Sequence, residues 1–192
     1  MKKIYFALAL GAMLALVPGA RSTTVIAPTF DQLVDDAETI FQGSVTGVQS
    51  LWVGEGAQRH IVTYVTFLVE DAVKGTAGPT YTMRMFGGTV DGMTMAVSDA
   101  PKFNVGDRNI LFVEHNGTQF IPLVGIMHGQ FRVDHDPAGN EVVVRADGVA
   151  VRDVSRLGRE ESSADGNMAV MSSDQFKSAI RAHLQASNQP TQ

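Results

Sequence analysis

Residues 59–73 alternate with a period of two, which suits an extended chain and not a helix. Ile61, Thr63, Val65, Phe67 and Val69 fall on one face, and Val62, Tyr64, Thr66, Leu68 and Glu70 on the other. Both faces are half apolar, so one is expected to line a core and the other to be partly covered by a helix or a neighbouring strand. Residues 40–52 read as a long strand interrupted by Gly43 and Gly47, and glycines inside a strand permit a bulge or a sharp bend. A turn at Gly54-Glu55-Gly56 joins these two strands. After a second turn over residues 74–79, residues 80–86 return as a third, giving a meander.

Downstream, residues 87–92 form a glycine-rich loop, and residues 93–97 can make a short strand. Residues 109–113 are an apolar run of the length of a buried strand. Asn116-Gly117 carries a hairpin signal, since a type I′ turn needs positive φ at both central residues, and it is expected to join that run to residues 119–124. Pro122 marks an edge or a bulge there, because proline cannot donate to a ladder. Residues 129–134 and 141–145 read as one more hairpin, closed by residues 136–140. Helices frame the strands: Thr29 with Gln32 and Ser172 with Gln175 each have the form of a capping box. Phe30, Leu33, Val34 and Ala37 line one side of the first helix, and Phe176, Ala179, Ile180, His183 and Leu184 make the stripe of the second. Between the strands and the second helix, apolar periodicity fades and residues 156–167 are charged and rich in Ser and Gly, which reads as a flexible linker. The expected fold is mainly β: a single OB-like barrel or a strongly twisted antiparallel sheet, with a short N-terminal helix and a C-terminal amphipathic helix. The expected division is a signal peptide over 1–22, a β-barrel domain over 23–146, a linker over 147–171, and a helix and tail over 172–192.

The signal peptide follows from Met1-Lys2-Lys3, the uncharged run 4–17, the Pro18-Gly19 breaker and the small residues Ala20 and Ser22. The run is shorter than the roughly 18 to 20 residues that cross a hydrocarbon core, so removal after Ser22 or Ala20 is expected, with no membrane association afterwards. The mature chain is then exported, periplasmic or secreted. About 170 residues remain, enough to bury a core in one domain. The absence of cysteine excludes disulfides, cysteine-ligated zinc and thiol catalysis. A net charge of −5, not gathered into blocks, gives no footprint for nucleic acid.

The runs Phe41-Gln42-Gly43-Ser44-Val45, 61–69 ending in Val73-Lys74-Gly75, Gly87-Gly88-Thr89 and Gly106-Asp107-Arg108-Asn109-Ile110-Leu111-Phe112-Val113 resemble a broad group of uncharacterised bacterial exported proteins. In that group such a G-x-V strand, V-K-G turn, G-G-T loop and G-D-x-x-x-L-F-V strand recur in this order. The resemblance spans residues 30–144. The same order is more remotely similar to the netrin-like barrels of the tissue inhibitors of metalloproteinases, which are OB-type folds. Those inhibitors engage a catalytic metal through a disulfide-locked amino-terminal cysteine, and this chain has none, so the likeness carries no function across.

Candidate chemistry is sparse. His128, His135 and His115 could converge with Asp134 or Asp136 on a metal, yet His128 and His135 lie seven apart, an odd offset that places them on opposite faces of one regular strand. Ser98-Asp99 lacks a nucleophile elbow, and Gly87-Gly88 lacks the G-K-[ST] of a phosphate cradle. Glu70 and Asp71 are adjacent and point to opposite faces. Met83, Met85, Met93 and Met95 form two i,i+2 pairs flanking the glycine loop, suited to filling an irregular core or, alternatively, to a soft binding surface or a copper(I) thioether site. The expected function is therefore a non-catalytic exported binding or interaction module with no cofactor, no metal and no catalytic residues, whose partner is an exported protein. Trp52, Phe86, Gly87, Gly88 and His128 are its candidate binding surface. The alternatives are a regulator or inhibitor of an exported protease, and a small hydrolase or metal-dependent enzyme whose site forms only in space.

Overall fold

In the computed structural model, residues 27–159 and 168–189 are described; the expected signal peptide lies outside them. The chain runs α1 (Phe30–Asp36), β1 (Thr39–Val53), β2 (His60–Lys74), β3 (Thr80–Phe86), β4 (Gly88–Val90), β5 (Met93–Met95), β6 (Arg108–Val113), β7 (Gln130–His135), β8 (Glu141–Arg145) and α2 (Ser173–Ser187). Six strands form one antiparallel sheet in the order β3-β2-β1-β6-β7-β8, and β4 pairs with β5 as a separate ribbon. The fold is thus the open, mainly β sheet, with one helix before its strands and one after them. Among the described residues no closed barrel forms.

Both helices begin where their capping boxes place them. The Thr29 and Ser172 hydroxyls accept from the backbone N–H of Gln32 and Gln175, whose side chains accept the N–H of the caps in return. Such caps satisfy amides that the first helical turn leaves open, each worth about 1 kcal/mol. The apolar stripes they launch pack on one face of the sheet. Phe30, Leu33 and Val34 of α1 and Phe176 and Ile180 of α2 meet Ile40, Ile110, Phe112, Phe131 and Val143, with the Phe131 and Phe176 rings 4.8 Å apart. His183 ties the helices together, its Nε2 lying 2.8 Å from Asp35 and its Nδ1 3.2 Å from Asp31.

The opposite face carries a second core of Phe41, Val45, Val65, Phe67, Met83, Met85, Leu111 and Val113, and its cover is irregular chain: Phe103, Ile121 and Leu123. Here the expected hairpin fails. Leu123 makes only an isolated bridge to Val113, and residues 119–124 form no strand. Asn116 does not take the positive φ that a type I′ turn needs; positive values fall at His115 (49°) and Gly117 (97°) instead. The Asn116 side chain is spent elsewhere, accepting from Arg84 N–H at 3.0 Å and donating to Thr82 O at 2.9 Å and to the Tyr81 hydroxyl at 3.2 Å. Phe86 N–H then donates to Phe120 O at 2.7 Å. The chain after β6 therefore crosses the second face and fills the outer edge of β3, standing in for a closing strand. Of the two expected forms, the twisted antiparallel sheet is therefore the one that forms.

The other outer edge is also filled. Val143 exchanges backbone bonds with Val151 and Met171, and Arg145 N–H donates to Val149 O. Residues 147–159, expected as the start of a linker, place Val151 and Leu157 in the first core. Residues 160–167, the most polar stretch of that segment, lie outside the described residues.

Candidate functional site

The two sides of β1 differ in length. Residues 40–53 pair with β2, whereas only residues 39–44 pair with β6. The β1–β2–β3 half of the sheet thus projects past β6, and the projecting part is roofed from β3. Gly87 and Gly88, at φ 95° and 135°, turn the chain out of β3 so that the β4–β5 ribbon folds back over β1 and β2. The contact leaves no room for a side chain, since a Cβ on Gly88 would overlap the hydroxyls of Ser50 and Thr63. Hydrogen bonds hold the roof: Thr63 Oγ1 donates to Gly87 O at 2.7 Å, Ser50 and Thr63 share a hydroxyl pair at 2.8 Å, Gly87 N–H reaches Ile61 O at 2.8 Å, and Ile61 N–H meets Met95 Sδ at 3.2 Å.

Between this ribbon, the segment 96–104 and the sheet lies a cleft of about 450 Å³. Val48, Val65, Met85, Met95, Val97 and Phe103 contribute to its apolar lining; Ser50, Thr63, Thr89 and Asn104 are polar, and Lys102 is its charged residue. A mostly apolar concavity with a few placed polar groups is the usual form of a ligand site. Asn104 is fixed by Asp107, whose carboxylate accepts its backbone N–H at 2.6 Å.

Of the expected surface, Phe86, Gly87 and Gly88 line this cleft, and Trp52 lies on the same β1 projection, its ring 4.4 Å from the Arg59 guanidinium. Phe86 also anchors a row of rings, 5.2 Å from His60 and 4.9 Å from Phe120. Phe120, 69% exposed at the outer edge of β3 and not part of the cleft lining, is the aromatic that the expected strand over 119–124 passes over. His128 is elsewhere. It lines a smaller pocket of about 200 Å³ with Pro28, Phe131, Arg145, Asp147 and Arg159, where burial lowers its pKa below the ordinary histidine value. The four methionines do not act together: Met83 and Met85 are core, Met95 ends at the ribbon contact, and Met93 is exposed.

Several ionisable groups are engaged structurally. Arg108 bridges Glu70 at 2.7 Å and Glu141 at 2.5 Å, and Glu141 accepts from the Ser173 hydroxyl at 2.5 Å, which ties β2, β6, β8 and α2 together. The Arg108 hydrogen bonds hold the Glu70 carboxyl below its usual range, and the Ser173 hydroxyl and then Arg108 do the same for Glu141. Burial pushes Asp71 up, but hydrogen bonds from Arg181 and Lys177 more than reverse it. Among the described residues no three histidine, aspartate or glutamate side chains group so as to hold a metal, and no helix is long and apolar enough to cross a membrane. Comparison of the chain with protein-family models, curated proteins and solved structures returned no match.

Proposed function

We propose that this chain is an exported binding module that acts without chemistry of its own, and that its site is the cleft between the β4–β5 ribbon and the β1–β2–β3 projection. The observation that carries this reading is the cleft's construction. Two glycines in conformations that other residues avoid, and a relay of hydroxyl bonds from Ser50 through Thr63 to Gly87, hold a roof above an apolar floor. A core that needed only cover would be closed by a collapsed loop, whereas here Val48 remains 42% exposed at the mouth. Export rests on the basic and apolar leader over residues 1–22.

The test uses anilinonaphthalene sulfonate, an apolar anion matched to the floor and to Lys102. The purified protein should bind it saturably at one site with a blue shift. Val48→Asp, which places a carboxylate at the half-exposed mouth, should abolish binding while circular dichroism shows the fold retained. Saturable binding that Val48→Asp leaves intact, or no saturable binding at all, would refute the assignment of the cleft.

A further inference from the structure

We infer that the cleft takes an extended peptide, an acidic one with apolar residues at alternate positions, which adds to the sheet as a strand along the open side of β1. This rests on the cleft being the binding site, and it adds the class of partner. The argument begins with the backbone. Ile61 O accepts from Gly87 and Val69 N–H donates to Pro79 O, so the odd residues of β2 turn their backbone groups toward β3 and the even ones toward β1. In the β1–β2 register Thr66, Tyr64, Val62 and His60 face Gly47, Gln49, Leu51 and Val53. These four residues of β1 spend their N–H and C=O groups on β2. Val48, Ser50 and Trp52 must then turn theirs outward, just as Val45 does where it exchanges bonds with Asp107 and Gly106. Val45 is the last residue so satisfied. Gly106, at φ 97°, marks where the chain leaves β1, and among the described residues no backbone group bonds the outer side of residues 46–53.

Unpaired strand edges invite another strand, and folded proteins normally blunt them with lysine, proline or covering chain. This protein covers both outer edges of its sheet, β3 by residues 116–120 and β8 by residues 149–151 and Met171. The projecting half of β1 receives neither cover nor guard, for Thr46-Gly47-Val48-Gln49-Ser50-Leu51-Trp52-Val53 contains no charge and no proline. Val48 and Ser50 also line the cleft. A chain paired to their outward groups would run beside the cleft and could send alternate side chains into it, the arrangement by which added strands combine backbone affinity with side-chain selection. Lys102, the charged residue of the lining, has no ion-pair partner among the described residues, which calls for a carboxylate on the incoming chain. That requirement selects a foreign peptide over a second copy of this protein pairing edge to edge, because residues 46–53 carry no carboxylate to offer.

The probes are capped octapeptides that alternate threonine with valine, leucine or phenylalanine and end in aspartate, with lysine-ended counterparts, titrated against the mature protein by the fluorescence of Trp52, the sole tryptophan. An aspartate peptide should bind and displace anilinonaphthalene sulfonate. N-methylation of one alternating set of its residues should weaken binding about tenfold or more, the effect of losing backbone bonds, while methylation of the other set should change it less than about twofold. Slowed hydrogen exchange at the amides of Val48, Ser50 and Trp52 should accompany binding. The lysine-ended peptide should be weaker by about two- to fivefold, with the difference lost in high salt or in Lys102→Gln. Val48→Pro, which deletes an outward N–H that β2 does not use, should lose the peptide while keeping the fold.

Equal sensitivity to both methylation patterns would overturn strand addition and leave an ordinary side-chain cleft. Failure of every peptide while anilinonaphthalene sulfonate still binds would overturn the peptide and spare the cleft; failure of both would remove the underlying reading as well. Concentration-dependent dimers that protect the same three amides would make the occupant a second copy and overturn the foreign peptide.

Discussion

Replacing Asn116 separates two roles that a sequence cannot distinguish. As the first residue of an Asn-Gly turn, asparagine could be exchanged for aspartate at almost no cost, because Asp-Gly serves such turns as well. In the structure its amide instead bonds Arg84 N–H at 3.0 Å, Thr82 O at 2.9 Å and the Tyr81 hydroxyl at 3.2 Å. Removing three bonds at about 0.5–1.5 kcal/mol each gives an upper value of about 4.5 kcal/mol. Water can reach this edge and recover part of it, so about 2 kcal/mol is expected for Asn116→Ala, or about 4–8 °C in melting temperature for a chain of this size. Asn116→Asp should be no milder: it keeps the acceptor for Arg84 but sets a carboxylate oxygen against the Thr82 carbonyl. Urea unfolding at neutral pH measures both variants, and hydrogen exchange should show the Arg84 and Phe86 amides, which face this loop, opening more readily. An aspartate variant within about 0.3 kcal/mol of the parent would refute the edge-sealing role and return Asn116 to plain turn chemistry.

Phe67 is fully buried in the second core with its ring edge-on to Phe41 at 5.6 Å and to Phe103 at 5.5 Å, so Phe67→Ala should cost about 3–5 kcal/mol in chemical denaturation; a loss of a few tenths would refute its place there. Glu70, Glu141 and Asp71 all titrate lower in the folded protein than their ordinary values of 4.5, 4.5 and 3.8. The unfolded chain therefore binds more protons just below those values. Their stabilisation is complete above about pH 5 and is lost as pH falls through the lowered folded values. Arg108→Gln should flatten that acid limb in a pH series of urea midpoints, and an unchanged slope would refute the bridge. For the leader, intact mass of the processed protein should give an amino terminus near Thr23 or Arg21, and a membrane-bound species still beginning at Met1 would refute its removal.

What the sequence discloses is what its neighbours decide. Both capping boxes read correctly because donor and acceptor lie three residues apart, within reach of local rules. The three long strands read correctly from their period, and Gly43 and Gly47 correctly mark irregularities in β1; a Cβ at Gly43 would sit 2.7 Å from Leu68 O. What the sequence hides depends on distant partners. Arg108 meets Glu70 and Glu141 across 38 and 33 residues, and no motif announces such a bridge. Asn116 misleads for the same reason, since a strong local signal was outweighed by β3, which lies beyond β1 and β2 in the sheet. At the site, Gly87-Gly88 could be read as a turn needing unusual φ, but not as the hinge of a roof. Lys102 and Phe103 sit in a segment with no period to interpret.

The bulge at Thr46 explains why the open edge of β1 escapes a reading by alternation. A regular strand would place Val45, Gly47, Gln49 and Leu51 on one face. Val45 pairs with Phe67 and Gly47 with Thr66, so Thr46 is the extra residue, and every position after it changes face relative to a simple count. Val45 in the second core is therefore followed on that face by Val48 and Ser50 at the cleft. The same shift decides which backbone groups face outward. Without an extra residue there, Gly47, Gln49 and Leu51 would border the cleft, offering no side chain or longer ones in place of Val48 and the hydroxyl of Ser50. One inserted residue thus sets the lining of the cleft and the hydrogen-bonding groups beside it together, which is why a single strand of ordinary composition can serve both as floor and as open edge.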